Sequence, residues 1–105
     1  MTIGIDLINI KDFSRRLEKK EIVEKIFVKS ELEIMSNLQE SAGIFAAKEA
    51  FIKALGKKID WLEIWVELLP SGKPVIHSPH LKNNQQAEIS ISHDGDYATA
   101  VAIIL

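Results

Sequence analysis

Four side chains sit where the surrounding sequence gives no local need for them. Asp6 interrupts an apolar stretch near the N-terminus, Glu49 and Lys53 lie in a run of strong helix formers, and His93 ends an alternating Ile-Ser segment. A carboxylate among apolar neighbours is costly unless it is paired or holds a cation. Two carboxylates joined by phosphate and water oxygens suit Mg2+, which keeps several of its waters. A lysine one helical turn from such a carboxylate can face a phosphate as a point charge. Each residue also has a plainer use. Glu49 and Lys53 have the i,i+4 spacing of a pair that merely stabilises a helix by a few tenths of a kcal/mol. Asp6 fits a strand-end turn, and His93 fits a hairpin cap. Spacing alone does not bring the four together.

The positioning elements can be read locally. Phe45 to Gly56 reads as one helix, rich in Ala, Lys, Glu and Leu. Gly56 falls at a left-handed C-cap, and Lys57 and Lys58 follow at the negative end of the helix dipole. Ser41 is the expected N-cap. Residues 3–9 set Ile3, Ile5 and Leu7 against Gly4, Asp6 and Ile8, the pattern of a largely buried strand. Helical character is expected from Lys11 to Phe27. Ser30-Glu31-Leu32-Glu33 has the form of a capping box, which starts a short helix at Ser30.

After Gly56 the period changes to two. Leu62, Ile64, Val66 and Leu68 form an apolar face, with Trp61, Glu63, Trp65 and Glu67 opposite. Monomers seldom leave two tryptophans in water, so Trp61 and Trp65 are expected to lie under another element or against another subunit. Pro70-Ser71-Gly72-Lys73-Pro74 turns the chain into a short strand at Val75 and Ile76. Residues 78–86 read as a loop or short helix. His77 and His80 have a metal-pair spacing, but Ser78-Pro79 argues against a helix and no third ligand stands out. Ala87–His93 and Tyr97–Leu105 form a hairpin about Asp94-Gly95-Asp96, and the second, almost wholly apolar arm belongs in a sheet interior. The class is α+β: a mainly antiparallel sheet with one long and several short helices.

Size and composition narrow the function. A chain of 105 residues, 47% hydrophobic, fits a single domain over residues 1–105 with one core. With no cysteine, disulfides and thiolate metal sites are excluded. No apolar run reaches bilayer length, and charge at Asp6 comes too early for a secretory leader, so a cytoplasmic protein without membrane association is expected. The net charge is −2, yet residues 11–30 set seven cations against four carboxylates, a local +3. That segment suits an acidic partner, or is simply a solvated mixed-charge face. Nucleic acid is a poor candidate, since no aromatic-basic interleaving occurs there.

The ordered set of motifs resembles one family. Gly4-Ile5-Asp6, Phe45-Ala46-Ala47-Lys48-Glu49-Ala50-Phe51 with Lys53-Ala54-Leu55-Gly56, Gly72-Lys73-Pro74, and Ile89-Ser90-Ile91-Ser92-His93 look like the holo-acyl-carrier-protein synthases, the small 4′-phosphopantetheinyl transferases. Ser30-Glu31-Leu32 matches a weaker element, and the resemblance spans nearly the whole chain. It implies transfer of the phosphopantetheine arm of coenzyme A to a serine of an acyl carrier protein in fatty acid biosynthesis, with release of 3′,5′-ADP. It also implies Mg2+ held by Asp6 and Glu49, and Lys53 beside the transferred phosphate. Glu49 would act as base, and Lys53, Gly56, Gly72, Lys73, Pro74 and His93 would stand at the coenzyme A. A homotrimer with intersubunit sites follows, giving Trp61 and Trp65 a partner. Two departures stand out: Asp12 and Ile44 occupy positions where the family favours arginine. Lys11, Arg15 or Arg16 can replace the first cation. The alternative is a non-catalytic relative that binds coenzyme A or a carrier.

Overall fold

The computed structural model describes residues 1–105. Strand β1 (Thr2–Asn9) is followed by three short helices, α1 (Ile10–Arg16), α2 (Lys20–Ile26) and α3 (Lys29–Ile34), then the long helix α4 (Leu38–Leu55). A 3-10 turn (Trp61–Glu63) precedes β2 (Trp65–Leu68), β3 (Pro74–His77), β4 (Ala87–Asp94) and β5 (Tyr97–Ile104). The larger sheet is antiparallel in the order β1-β5-β4, with β2-β3 as a separate hairpin. The apolar strand β5 is the central one, as its composition predicts. Helix α4 crosses the sheet and lies chiefly on β1 and β5.

Small residues set how closely α4 approaches. Ala42, Ala46, Ala50 and Ala54 are buried at successive turns of the helix, facing a sheet where Ala98, Ala100 and Ala102 are buried on β5. Gly4 completes this contact: a Cβ built there would stand 2.0 Å from the Ala50 carbonyl oxygen and 2.8 Å from the Ala54 nitrogen. Only glycine lets β1 pass under the helix at this distance. Toward the short helices the core changes to aromatic contacts. Phe13 and Phe45 have ring centroids 4.9 Å apart, and Trp61 stacks on Phe45 at the same separation.

Several local expectations change. The helical stretch from Lys11 to Phe27 is two helices, broken at Leu17–Lys19. Helix α4 begins at Leu38, three residues before Ser41, and is capped by Asn37, whose side-chain oxygen accepts the Glu40 N–H at 2.9 Å. Helix α3 starts at Lys29 with Val28 as cap. Its Glu31 takes the Val28 N–H at 3.0 Å, so the Ser30-to-Glu33 box is not the operative one. The apolar face expected over residues 62–68 is split by the 3-10 turn: Ile64 and Val66 are buried, whereas Leu62 and Leu68 are exposed. Trp61 is covered within the chain by Phe45, and only Trp65 keeps substantial exposure, stacked on His77.

The largest correction concerns β1. Ile3, Ile5 and Leu7 are each 65% exposed, not buried. Their pleat partners Gly4, Asp6 and Ile8 point toward α4. Period two established that the strand has two faces, but only one of them finds a helix within this chain.

Candidate active site

The close helix-strand contact brings together three of the four chemically suggestive residues. Asp6 lies on the inner face of β1, paired with Ala100 of β5, and its carbonyl accepts the Thr99 hydroxyl at 2.7 Å. Lys53 reaches across from α4 and donates to the Ile5 carbonyl oxygen at 2.9 Å and to Asp6 Oδ1 at 3.1 Å. Asp6 is 13% exposed at its side chain, against 52% for Lys53. The other carboxylate oxygen, Asp6 Oδ2, is buried with no hydrogen-bond partner. Buried polar atoms are rarely left in that state, so it needs an occupant.

Glu49 supplies the second carboxylate. Burial holds its carboxyl above the usual glutamate range, the Asp6 charge adds to that rise, and Lys53 and Arg16 oppose it. Repulsion between the two carboxylates relaxes when a cation joins them. No cluster of three or more His, Cys, Asp or Glu side chains forms anywhere in the structure. A pair of carboxylates, one with an orphaned buried oxygen, fits a hard divalent ion that completes its shell with water and phosphate oxygens. The residues present therefore fit Mg2+.

Near the departure at Asp12, the arginine whose charge reaches Glu49 is Arg16. Asp12 lies in the first turn of α1, favourable for the helix dipole, and pairs with Arg15 at 3.5 Å. Arg15 is thereby engaged locally, while the charge of Arg16 is felt at Glu49. Ile44, the second departure, is buried and forms part of a cavity floor.

That cavity holds the remaining candidates. It has a volume of about 440 Å³, with Gly72, Lys73, Pro74 and His93 on its wall. Ile34, Ile44, Leu68, Ile89 and Ile91 make it largely apolar. Gly72, at φ 88°, closes the turn between β2 and β3: its N–H donates to the Leu69 carbonyl at 2.8 Å. Lys73 Nζ lies 3.5 Å from Glu88, both half-exposed. Glu40 and Gln39 also line the cavity and carried no signal in the sequence, because a polar first turn is normal for any helix. Asp6, Glu49 and Lys53 are not among its lining residues, so the carboxylate cluster and the cavity are separate within one chain. Gly56 lies in neither. It caps α4 at φ 77° with open space around it, which accounts for glycine there by backbone conformation. His77 and His80 stand apart from both, 3.0 Å from Glu67 and 3.2 Å from Glu63 respectively.

An α+β domain built in this way, with a paired-carboxylate cluster and a separate cavity of about 440 Å³, has close counterparts. The family model for ACPS, the 4′-phosphopantetheinyl transferase superfamily, matches residues 2–102. The chain is 37% identical to a holo-[acyl-carrier-protein] synthase of Nautilia profundicola over 98% of both chains. It is 40% identical to that of Fusobacterium nucleatum, covering 98% of this chain and 97% of the relative. A crystal structure of the Helicobacter pylori holo-[acyl-carrier-protein] synthase in complex with coenzyme A superposes with a TM-score of 0.91 at 31% identity, covering 98% of this chain and 99% of that one. The chain belongs to the 4′-phosphopantetheinyl transferase superfamily.

Proposed function

We propose that this protein is a holo-acyl-carrier-protein synthase that uses Mg2+ held by Asp6 and Glu49. It transfers the 4′-phosphopantetheine arm of coenzyme A to a serine hydroxyl of an acyl carrier protein. The observation that carries the reading is the orphaned, buried Asp6 Oδ2 beside Glu49 in a member of this superfamily. The serine oxygen forms a bond to the phosphorus of the pantetheine phosphate, the bond from that phosphorus to the bridging diphosphate oxygen breaks, and 3′,5′-ADP leaves. Mg2+, when bound, offsets the charge of the diphosphate and polarises the attacked phosphorus. Lys53 uses two of its three donors to hold the Asp6 carboxylate and the Ile5 carbonyl, which leaves one N–H for a phosphate oxygen. Glu49, beside Asp6, accepts the serine proton. Lys73 and His93 line the nucleotide end of the coenzyme A site. This arrangement is favoured over a purely binding relative because Asp6, Glu49 and Lys53 converge.

The test is the intact mass of an acyl carrier protein incubated with this protein, coenzyme A and Mg2+. The expected result is a gain of one phosphopantetheine, abolished by EDTA. Coenzyme A binding without any mass gain on the host's own carriers would support the non-catalytic alternative instead.

The carboxylate cluster and the cavity are two halves of one site that meet in a homotrimer. Its support is the outer sheet face, where exposed Ile3 and Ile5 pair with Ile103 and Val101 of β5. Exposed apolar patches of this kind commonly mark an interface. Ile5→Glu is expected to give a monomer by sedimentation at micromolar concentration, with transfer reduced about 100-fold because the site is incomplete. A monomeric wild type would remove this account. The cytoplasm is the proposed compartment, consistent with the absence of cysteine and of any helix long and apolar enough to cross a membrane.

A further inference from the structure

Glu31 and Lys48 are the two buried charged residues of the chain, both fully covered, and the chemistry above uses neither. Lys48 immediately precedes Glu49 on α4 but is turned into the core. Its Nζ donates to Glu31 Oε1 at 2.7 Å and to the Ile26 carbonyl oxygen, and it lies 5.7 Å from the Phe27 ring centroid. Glu31 Oε1 also accepts the Val28 N–H, and Oε2 accepts the Val66 N–H at 2.9 Å. One ion pair thus joins the end of α2, the start of α3, strand β2 and helix α4.

Stability alone does not account for it. A buried ion pair can often be replaced by apolar side chains at no cost, because the desolvation of both charges offsets their attraction. Apolar side chains could not, however, tie three backbone groups from separate segments to one point on α4.

Three of the four joined segments lead directly to a wall of the cavity. Ile34 follows Glu31 by one turn of α3, Leu68 follows Val66 by two residues on the same side of β2, and Ile44 precedes Lys48 by one turn of α4. All three line the cavity, and β2 continues from Leu68 into the turn that carries Gly72 and Lys73. We propose that Glu31 and Lys48 are a positioning pair, holding these three walls at the spacing that coenzyme A requires. This inference rests on the proposed role of the cavity.

The test compares wild type with Lys48→Met, Glu31→Gln and the double variant, varying coenzyme A and carrier protein separately. The expected result is a roughly tenfold rise in KM for coenzyme A, with kcat and the carrier KM within about threefold of wild type. A folded variant with an unchanged KM for coenzyme A would overturn the proposal, as would equal rises in both KM values or a loss confined to kcat. The double variant leaves no unpaired buried charge and is the one expected to fold if the single changes do not. A further measurement needs no substitution. Coupling is reciprocal, so saturating coenzyme A should slow hydrogen exchange of the Val66 amide in the wild type by about tenfold. Unaltered exchange in protein that demonstrably binds coenzyme A overturns the positioning role alone. Wild-type protein that does not bind coenzyme A at all removes the proposed function, and the inference with it.

Discussion

Glu49→Gln is expected to lower phosphopantetheine transfer by at least about 100-fold while raising the melting temperature of the metal-free protein. The two effects have one cause. Glutamine keeps the size of the side chain but removes a charge that is costly to bury and is also repelled by Asp6, so folding no longer has to accommodate either. The same charge is what the proposed ligand and base require. The pH dependence follows in sign. Because the folded-state pKa of Glu49 is raised, the folded protein binds more protons than the unfolded chain between the ordinary glutamate value and the raised one. Wild-type stability contributed by this group therefore falls as pH rises through that window, and the variant lacks the fall. Thermal melts of both proteins from acid to neutral pH, without metal, provide the check. Parallel curves would remove the electrostatic account, and wild-type transfer rates would remove Glu49 from the mechanism.

Gly4→Ala is expected to be nearly as damaging from a position that touches no substrate. The added methyl would lie 2.0 Å from the Ala50 carbonyl, and the obstacle is helix backbone, which cannot turn aside as a side chain can. Helix α4 must move outward. The expected cost is about 3 kcal/mol, which corresponds to a melting temperature lower by roughly 12 °C or more. The folded fraction should also be impaired. Glu49 and Lys53 ride on α4 while Asp6 stays on β1, so separating helix and strand by even about 1 Å misplaces the cluster and can cost 100-fold in rate. Transfer per folded molecule, measured well below the melting temperature, tests this second part. A stable variant with full activity would show that α4 does not need its present distance from β1.

Much of the fold was legible because its signals are local. A glycine at the end of a helix-forming run marked the C-cap at Gly56, and the glycine between Asp94 and Asp96 marked the β4-β5 hairpin. The apolar monotony of Tyr97–Leu105 marked the central strand. At the start of α4 the sequence reading chose Ser41 as N-cap, but Asn37 takes that role and captures an extra turn. Glu31 was passed over as an intervening residue of the Ser30-to-Glu33 box. A glutamate near a helix start resembles a capping residue, and this one does accept the Val28 N–H, but its main partner lies 17 residues away on α4. One clue was available, since Lys48 follows Ile44 by four residues and precedes Phe51 by three, a lysine within an apolar stripe.

The sequence by itself determined the types of most elements, such as β1, the long helix and the β4-β5 hairpin, and the α+β class. Those follow from periodicity, capping and turn chemistry, which act over a few residues. Only the tertiary structure decided which of the chemically suggestive residues meet. Asp6 and Lys53 come into contact because Gly4 and a row of alanines let α4 settle close on the sheet. Lys73 and His93 instead join a separate cavity on the other side of the helix-sheet contact. It also decided that Ile3, Ile5 and Leu7 face outward. A two-residue period separates the faces of a strand, but which face is covered depends on what the rest of the chain has left to place there.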